Sequence, residues 1–136
     1  IPYAFFSGAT RGSASFVLQR RIGLDQPILI AMEDGPGKPD PTGLMVAVQK
    51  VEAQQSIQNA LPVIYAGDTA ADMKTVVAAK AQFPNRQWLA IGILPPHAQK
   101  DEAYKADYSA KLKAAGAQTV LKSVRHITED LLSSLL

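Results

Sequence analysis

Five short apolar runs, each followed by a stretch with helical spacing, constrain this 136-residue chain more than any other feature. The runs lie at 4–6, 28–32, 61–66, 88–94 and 118–121, and within them apolar residues follow one another rather than alternating with polar ones. A strand wet on one face alternates, whereas a continuously apolar strand is covered on both, as in a parallel sheet flanked by helices. Helical spacing fills the intervals at 13–21, 42–52, 70–81 and 108–115, and again at 127–136. Strand and helix thus alternate about five times, which predicts an α/β fold. The expected form is a Rossmann-like three-layer α/β/α arrangement with a mainly parallel sheet. With 47% hydrophobic residues, residues 1–136 are expected to form a single domain with a real core.

The bulk chemistry narrows the partners. Net charge is only +2, the basic residues are scattered, and Arg20-Arg21 is the one adjacent basic pair, with no aromatic ladder beside it. That argues against nucleic acid as a partner. Cysteine is absent, so disulfides and thiolate metal sites are excluded, and a cytoplasmic location is expected. No apolar run approaches the roughly 20 residues that span a bilayer, so no membrane role is expected. The chain opens directly on the strand-like Ile1-Pro2-Tyr3-Ala4-Phe5-Phe6, without an initiator Met or a polar lead-in. We expect it to be a piece of something longer.

In parallel α/β folds ligands bind at the C-terminal ends of the strands. Polar features stand at three such ends: Ser7 after the first, Lys38 in the Gly/Pro-dense loop after the second, and Asp68 with Asp72 after the third. Each has an ordinary explanation. Ser7 can be a turn residue, Lys38 a solvated loop lysine, Asp68 an N-cap and Asp72 a solvated residue near the positive end of a helix dipole. Taken together, in this order and expected to converge in space, they make a phosphate pocket. The Ser7 hydroxyl and the Gly8 amide donate to phosphate oxygens, Lys38 supplies a point charge, and Asp68 and Asp72 hold Mg2+. Elsewhere, Trp88 reads as packing, and residues 97–107 as a charged surface loop in which His97, near the fourth strand's C-terminal end, is either solvated or a substrate contact. Arg11 reads either as a phosphate contact or as a solvated helix start, and His126 as exposed.

These residues carry a family resemblance. Phe5-Phe6-Ser7-Gly8 resembles the second motif of the haloacid dehalogenase-like hydrolases, a Ser or Thr at a strand end. Gly37-Lys38-Pro39-Asp40-Pro41 resembles their third, the lysine followed by Pro-x-Pro. Tyr65-Ala66-Gly67-Asp68-Thr69-Ala70-Ala71-Asp72-Met73 resembles the fourth, the acidic motif G-D-x-x-x-D. The segment 111–121 resembles the approach to the final strand. Ser7-Gly8-Ala9-Thr10-Arg11-Gly12 and Gly92-Ile93-Leu94-Pro95-Pro96-His97 are similar to a cyanobacterial-type branch of subfamily I.

The resemblance implies a Mg2+-dependent phosphatase acting on a small phosphorylated metabolite through an aspartyl-phosphate. Ser7 and Gly8 would bind the phosphoryl group, Lys38 would balance charge between nucleophile and phosphate, and Asp68 and Asp72 would form the metal site. One departure matters more than the matches: the family's D-x-D motif, source of the nucleophile, occurs nowhere in the chain. Its place is upstream of Ile1, as is that of a subfamily I cap. The chain therefore resembles a partial core, with the first strand and the cap outside it. The implied partner is the missing N-terminal part of the same protein, as a separate or cleaved chain, and the chain alone is expected to be inactive and unstable. Two other readings stand beside this one. A non-catalytic α/β binding or scaffold module could share the fold, and a phospho-receiver-like domain shares the residue types but in a different order.

Overall fold

The computed structural model describes residues 1–136 and confirms the α/β reading: five strands, all paired in parallel, with five α-helices interspersed. The chain divides into two compact units, Ile1–Ala60 and Leu61–Leu136, and each carries its own parallel sheet.

In the first unit β1 (Phe5–Phe6) pairs with β2 (Leu29–Ile30), Phe5 opposite Leu29 and Phe6 opposite Ile30. The connection is α1 (Arg11–Ser15), which continues into π-helical turns over Phe16–Arg21. This helix begins two residues before the expected 13, because the Thr10 side chain accepts the Ser13 N–H and caps it there. It ends at Gly23, whose φ of +84° suits glycine. Ala14 and Leu18 bury the inner face against Leu29 and Ala31. The second strand is shorter than the apolar run 28–32. The Ala31 N–H turns to the Asp34 carboxylate at 2.7 Å, which folds Met32–Asp34 into a 3-10 turn. The second helix, α2 (Thr42–Gln54), buries Gly43, Leu44 and Ala47.

The second unit runs β3 (Val63–Gly67), α3 (Ala70–Gln82), β4 (Trp88–Ile93), α4 (Glu102–Ala114), β5 (Thr119–Leu121) and α5 (Glu129–Leu135). The strand order is β3-β4-β5, with Val63 opposite Trp88 and Ile91 opposite Thr119. Side chains alternate across a strand, so β4 serves two layers. Leu89 and Ile91 pack with Leu132 of α5, while a Cβ on Gly92, which faces the opposite side, would lie 3.0 Å from Leu112 of α4. Helices therefore cover both faces of this sheet.

Met73, Val76 and Ala79 supply the buried stripe of α3 at helical spacing, while Val77, off that stripe, is 51% exposed. One sequence expectation needs correction. Residues 97–107 are not a surface loop. Pro96–Gln99 forms a 3-10 turn, and α4 starts at Glu102 because Asp101 caps the Ala103 N–H. No helix is long and apolar enough to cross a membrane.

Candidate functional site

In the first unit, Ser7 closes β1. Its N–H donates to the Ile30 carbonyl at 2.9 Å, and its hydroxyl oxygen accepts the Ala9 N–H at 3.1 Å. The turn reading is thus correct, and it is compatible with the functional one. The oxygen is used as an acceptor, which leaves the hydroxyl proton to donate outward. The backbone at Gly8 is open, with nothing within 4 Å of where a Cβ would stand.

Lys38 belongs to the loop after β2, yet its Nζ sits 4.9 Å from the centroid of the Phe6 ring. A cation over an aromatic face is held there electrostatically. Phe6 directly precedes Ser7, so the lysine lies beside the C-terminal end of β1 rather than out in solvent. The ring is itself fixed from below: a Cβ at Gly43 would lie 2.4 Å from Phe6 Cε1 and 2.5 Å from Cζ. Glycine at this helix position is what lets the ring pack against α2. Asp40 accepts the Thr42 N–H at 2.8 Å and leads the loop into α2. The Lys38-Pro39 peptide is cis.

Arg11 opens α1 and is exposed, as the helix-start reading has it, but its side chain is also tied into the fold. Its N–H is shared between the two Glu33 carboxylate oxygens at 2.9 and 3.1 Å, and its guanidinium donates to the Leu29 carbonyl at 3.1 Å and pairs with Asp34. The Ala31 N–H, and then Arg11, hold the Asp34 carboxyl below the usual range.

In the second unit, the acidic turn after β3 separates the two aspartates that sequence spacing placed together. The N-cap of α3 is Thr69, not Asp68, and it accepts the Asp72 N–H at 3.2 Å. Asp72 answers from the third helical position, accepting the Thr69 N–H at 3.0 Å and hydroxyl at 2.8 Å. That reciprocal pair is a capping box. Its other oxygen accepts the Tyr65 hydroxyl at 3.0 Å, and the residue is only 4% exposed. So Asp72 is not solvated but buried, with its carboxylate engaged by three donors of its own unit. Burial, with the Asp72 charge second, pushes the Tyr65 phenol well above its usual range and keeps it protonated as a donor. Gly67 makes room for this: a Cβ there would lie 2.4 Å from Asp72 Cβ and 2.5 Å from Cγ.

Asp68, in contrast, is exposed, and its backbone carbonyl accepts the Tyr108 hydroxyl at 2.6 Å. As donors to Mg2+, the two acids are therefore unequal. Asp68 offers an outward carboxylate, and Asp72 orients the turn that presents it. No group of three or more His, Cys, Asp or Glu residues could hold a metal ion in this chain.

His97 belongs to an aromatic trio whose two tyrosines have no counterpart in the sequence expectations, and Tyr108 ties that trio to the acidic turn. His97, on the turn after β4, contacts Tyr104 and Tyr108 of α4 at centroid separations of 6.1 and 5.9 Å, and the two tyrosines lie 6.2 Å apart. The only sequence signal was Tyr104 and Tyr108 at i and i+4, legible once the helix is known to start at Glu102. Trp88, as expected, is packing: it is 5% exposed and its indole N–H donates to the Phe83 carbonyl at 3.0 Å. His126 is exposed, also as expected. Compared with family models and with curated proteins, the chain has no match in either.

Proposed function

We propose that this chain is the C-terminal part of a haloacid dehalogenase-like core and serves a Mg2+-dependent phosphatase of small phosphorylated metabolites. The observation that carries the reading is Lys38. A loop lysine with no structural task would extend into water, yet this one is held over Phe6, next to Ser7, at the C-terminal end of a parallel strand. A charge and a hydroxyl at a strand end suit a phosphoryl group.

In this reading the Ser7 hydroxyl and the Gly8 N–H donate to phosphoryl oxygens, and Lys38 balances the charge that gathers as the phosphoryl group is transferred. Asp68 would hold Mg2+, with Asp72, Thr69 and Tyr65 fixing the turn that carries it. Bound there, the ion would neutralise phosphoryl oxygens. The nucleophile and the remaining metal ligand would come from a D-x-D strand outside this chain. The strand edges support that supply. Within its sheet β1 pairs on one side only, with β2, and β3 on one side only, with β4. Each offers an unpaired backbone edge to which a further strand can add.

Chemical trapping tests the reading and separates it from a non-catalytic module of the same fold. The full-length protein, given Mg2+ and a labelled phosphomonoester, should form an acid-stable, hydroxylamine-sensitive phosphoenzyme, and Lys38→Ala should abolish it. Label that never becomes covalent under turnover conditions would favour the scaffold.

A further inference from the structure

We propose that His97, Tyr104 and Tyr108 form a platform for the organic part of the substrate, and that this part carries a planar ring. The proposal rests on the phosphatase reading above and names the substrate class for that site. The rings lie beyond the C-terminal end of β4, where ligands of parallel sheets bind. They are tied to the acidic turn by the Tyr108 hydroxyl on the Asp68 carbonyl. A substrate phosphate near Asp68 would thus place its leaving group beside them.

The geometry selects the ligand. The ring planes are inclined by 85° between His97 and Tyr108, 48° between His97 and Tyr104, and 56° between the tyrosines. Their centroids are 5.9–6.2 Å apart, so the rings touch one another and leave no cage between them for a cation. What they leave is an outer surface: His97 is exposed, and Tyr104 is 43% exposed. Aromatic groups presented side by side to solvent suit a further ring, stacked or edge-on, at little cost in side-chain entropy. The Tyr108 hydroxyl is spent on Asp68, which keeps the platform in register with the acidic turn rather than free to bond a ligand.

The test uses the full-length protein and two probes of similar charge, phenyl phosphate and glycerol 2-phosphate. Titrated without Mg2+, phenyl phosphate should shift the ring-proton resonances of His97 and Tyr104, and glycerol 2-phosphate should shift them much less. Equal shifts, or none, would overturn the platform. In turnover with Mg2+, His97→Leu and Tyr104→Leu should each lower kcat/KM for phenyl phosphate about three- to tenfold more than for glycerol 2-phosphate. Equal losses on both substrates would also overturn it. Ring shifts with phenyl phosphate but no hydrolysis of either probe would sustain the platform and overturn the phosphatase reading beneath it.

Discussion

Replacing Gly67 with alanine isolates the contact on which the acidic turn depends. The φ of Gly67 is not positive, so alanine meets no backbone strain, and the new methyl acts through space alone. It would stand 2.4 Å from Asp72 Cβ, 2.5 Å from Cγ and 2.6 Å from Oδ2. Asp72 is short, buried and held by three hydrogen bonds, so it cannot swing aside cheaply. Two responses are open. The strand and helix can separate, an overpacking cost of about 1–3 kcal/mol. Alternatively, Asp72 can leave its place, which forfeits a helix cap of about 1 kcal/mol and orphans the Tyr65 hydroxyl at about 1–3 kcal/mol. The cheaper route sets the effect, about 2 kcal/mol, or roughly 6–8 °C in Tm for a domain of this size. Thermal unfolding of the full-length protein followed by circular dichroism reads it directly. A Gly67→Ala protein melting within about 1 °C of wild type would refute the contact.

Gly43→Ala should push the Phe6 ring off α2 and Lys38 with it, lowering kcat/KM about tenfold or more; unchanged kinetics would disconnect Lys38 from the site. The Asp34 carboxyl titrates below its ordinary value of 3.8. Its contribution is therefore full above that pH and lost as pH falls through the lower folded value. Urea unfolding of wild type and Asp34→Ala should converge in stability as the pH drops through that range, and a constant gap between them down to pH ~2 would exclude the linkage. The isolated 136-residue chain, with β1 and β3 each paired on one side only, should lack a cooperative monomeric melt, and a sharp transition would show that it needs no further strand.

The strands were legible because burial on both faces writes itself as continuous apolar runs. Where the second strand came out short, the cause is a side chain three residues on, Asp34 taking the Ala31 N–H, which no hydropathy pattern records. The start of α4 was hidden by its charges: residues 101–107 read as solvated loop, although Asp101 followed by Glu102 is also a helix-start signal. In the acidic turn, two aspartates four apart suggested a shared face. Thr69-Ala70-Ala71-Asp72 also spells a capping box, and the fold uses that second meaning, burying Asp72 under Gly67 and Tyr65. The aromatic trio was not legible, since His97 meets the two tyrosines only when α4 packs back beside the turn after β4.

In the proposed phosphatase site Asp68 presents a metal-binding carboxylate while Asp72 holds the turn in place. Mg2+-dependent hydrolysis of a small phosphomonoester by the full-length protein and its Asp68→Asn variant probes that division of labour. Asp68→Asn keeps the fold, since no hydrogen bond or ion pair in the structure uses the Asp68 side chain, so its Tm should match wild type. Its activity or Mg2+ affinity should fall by at least about tenfold. Undiminished turnover at the same Mg2+ concentration dependence would exclude Asp68 as the metal ligand.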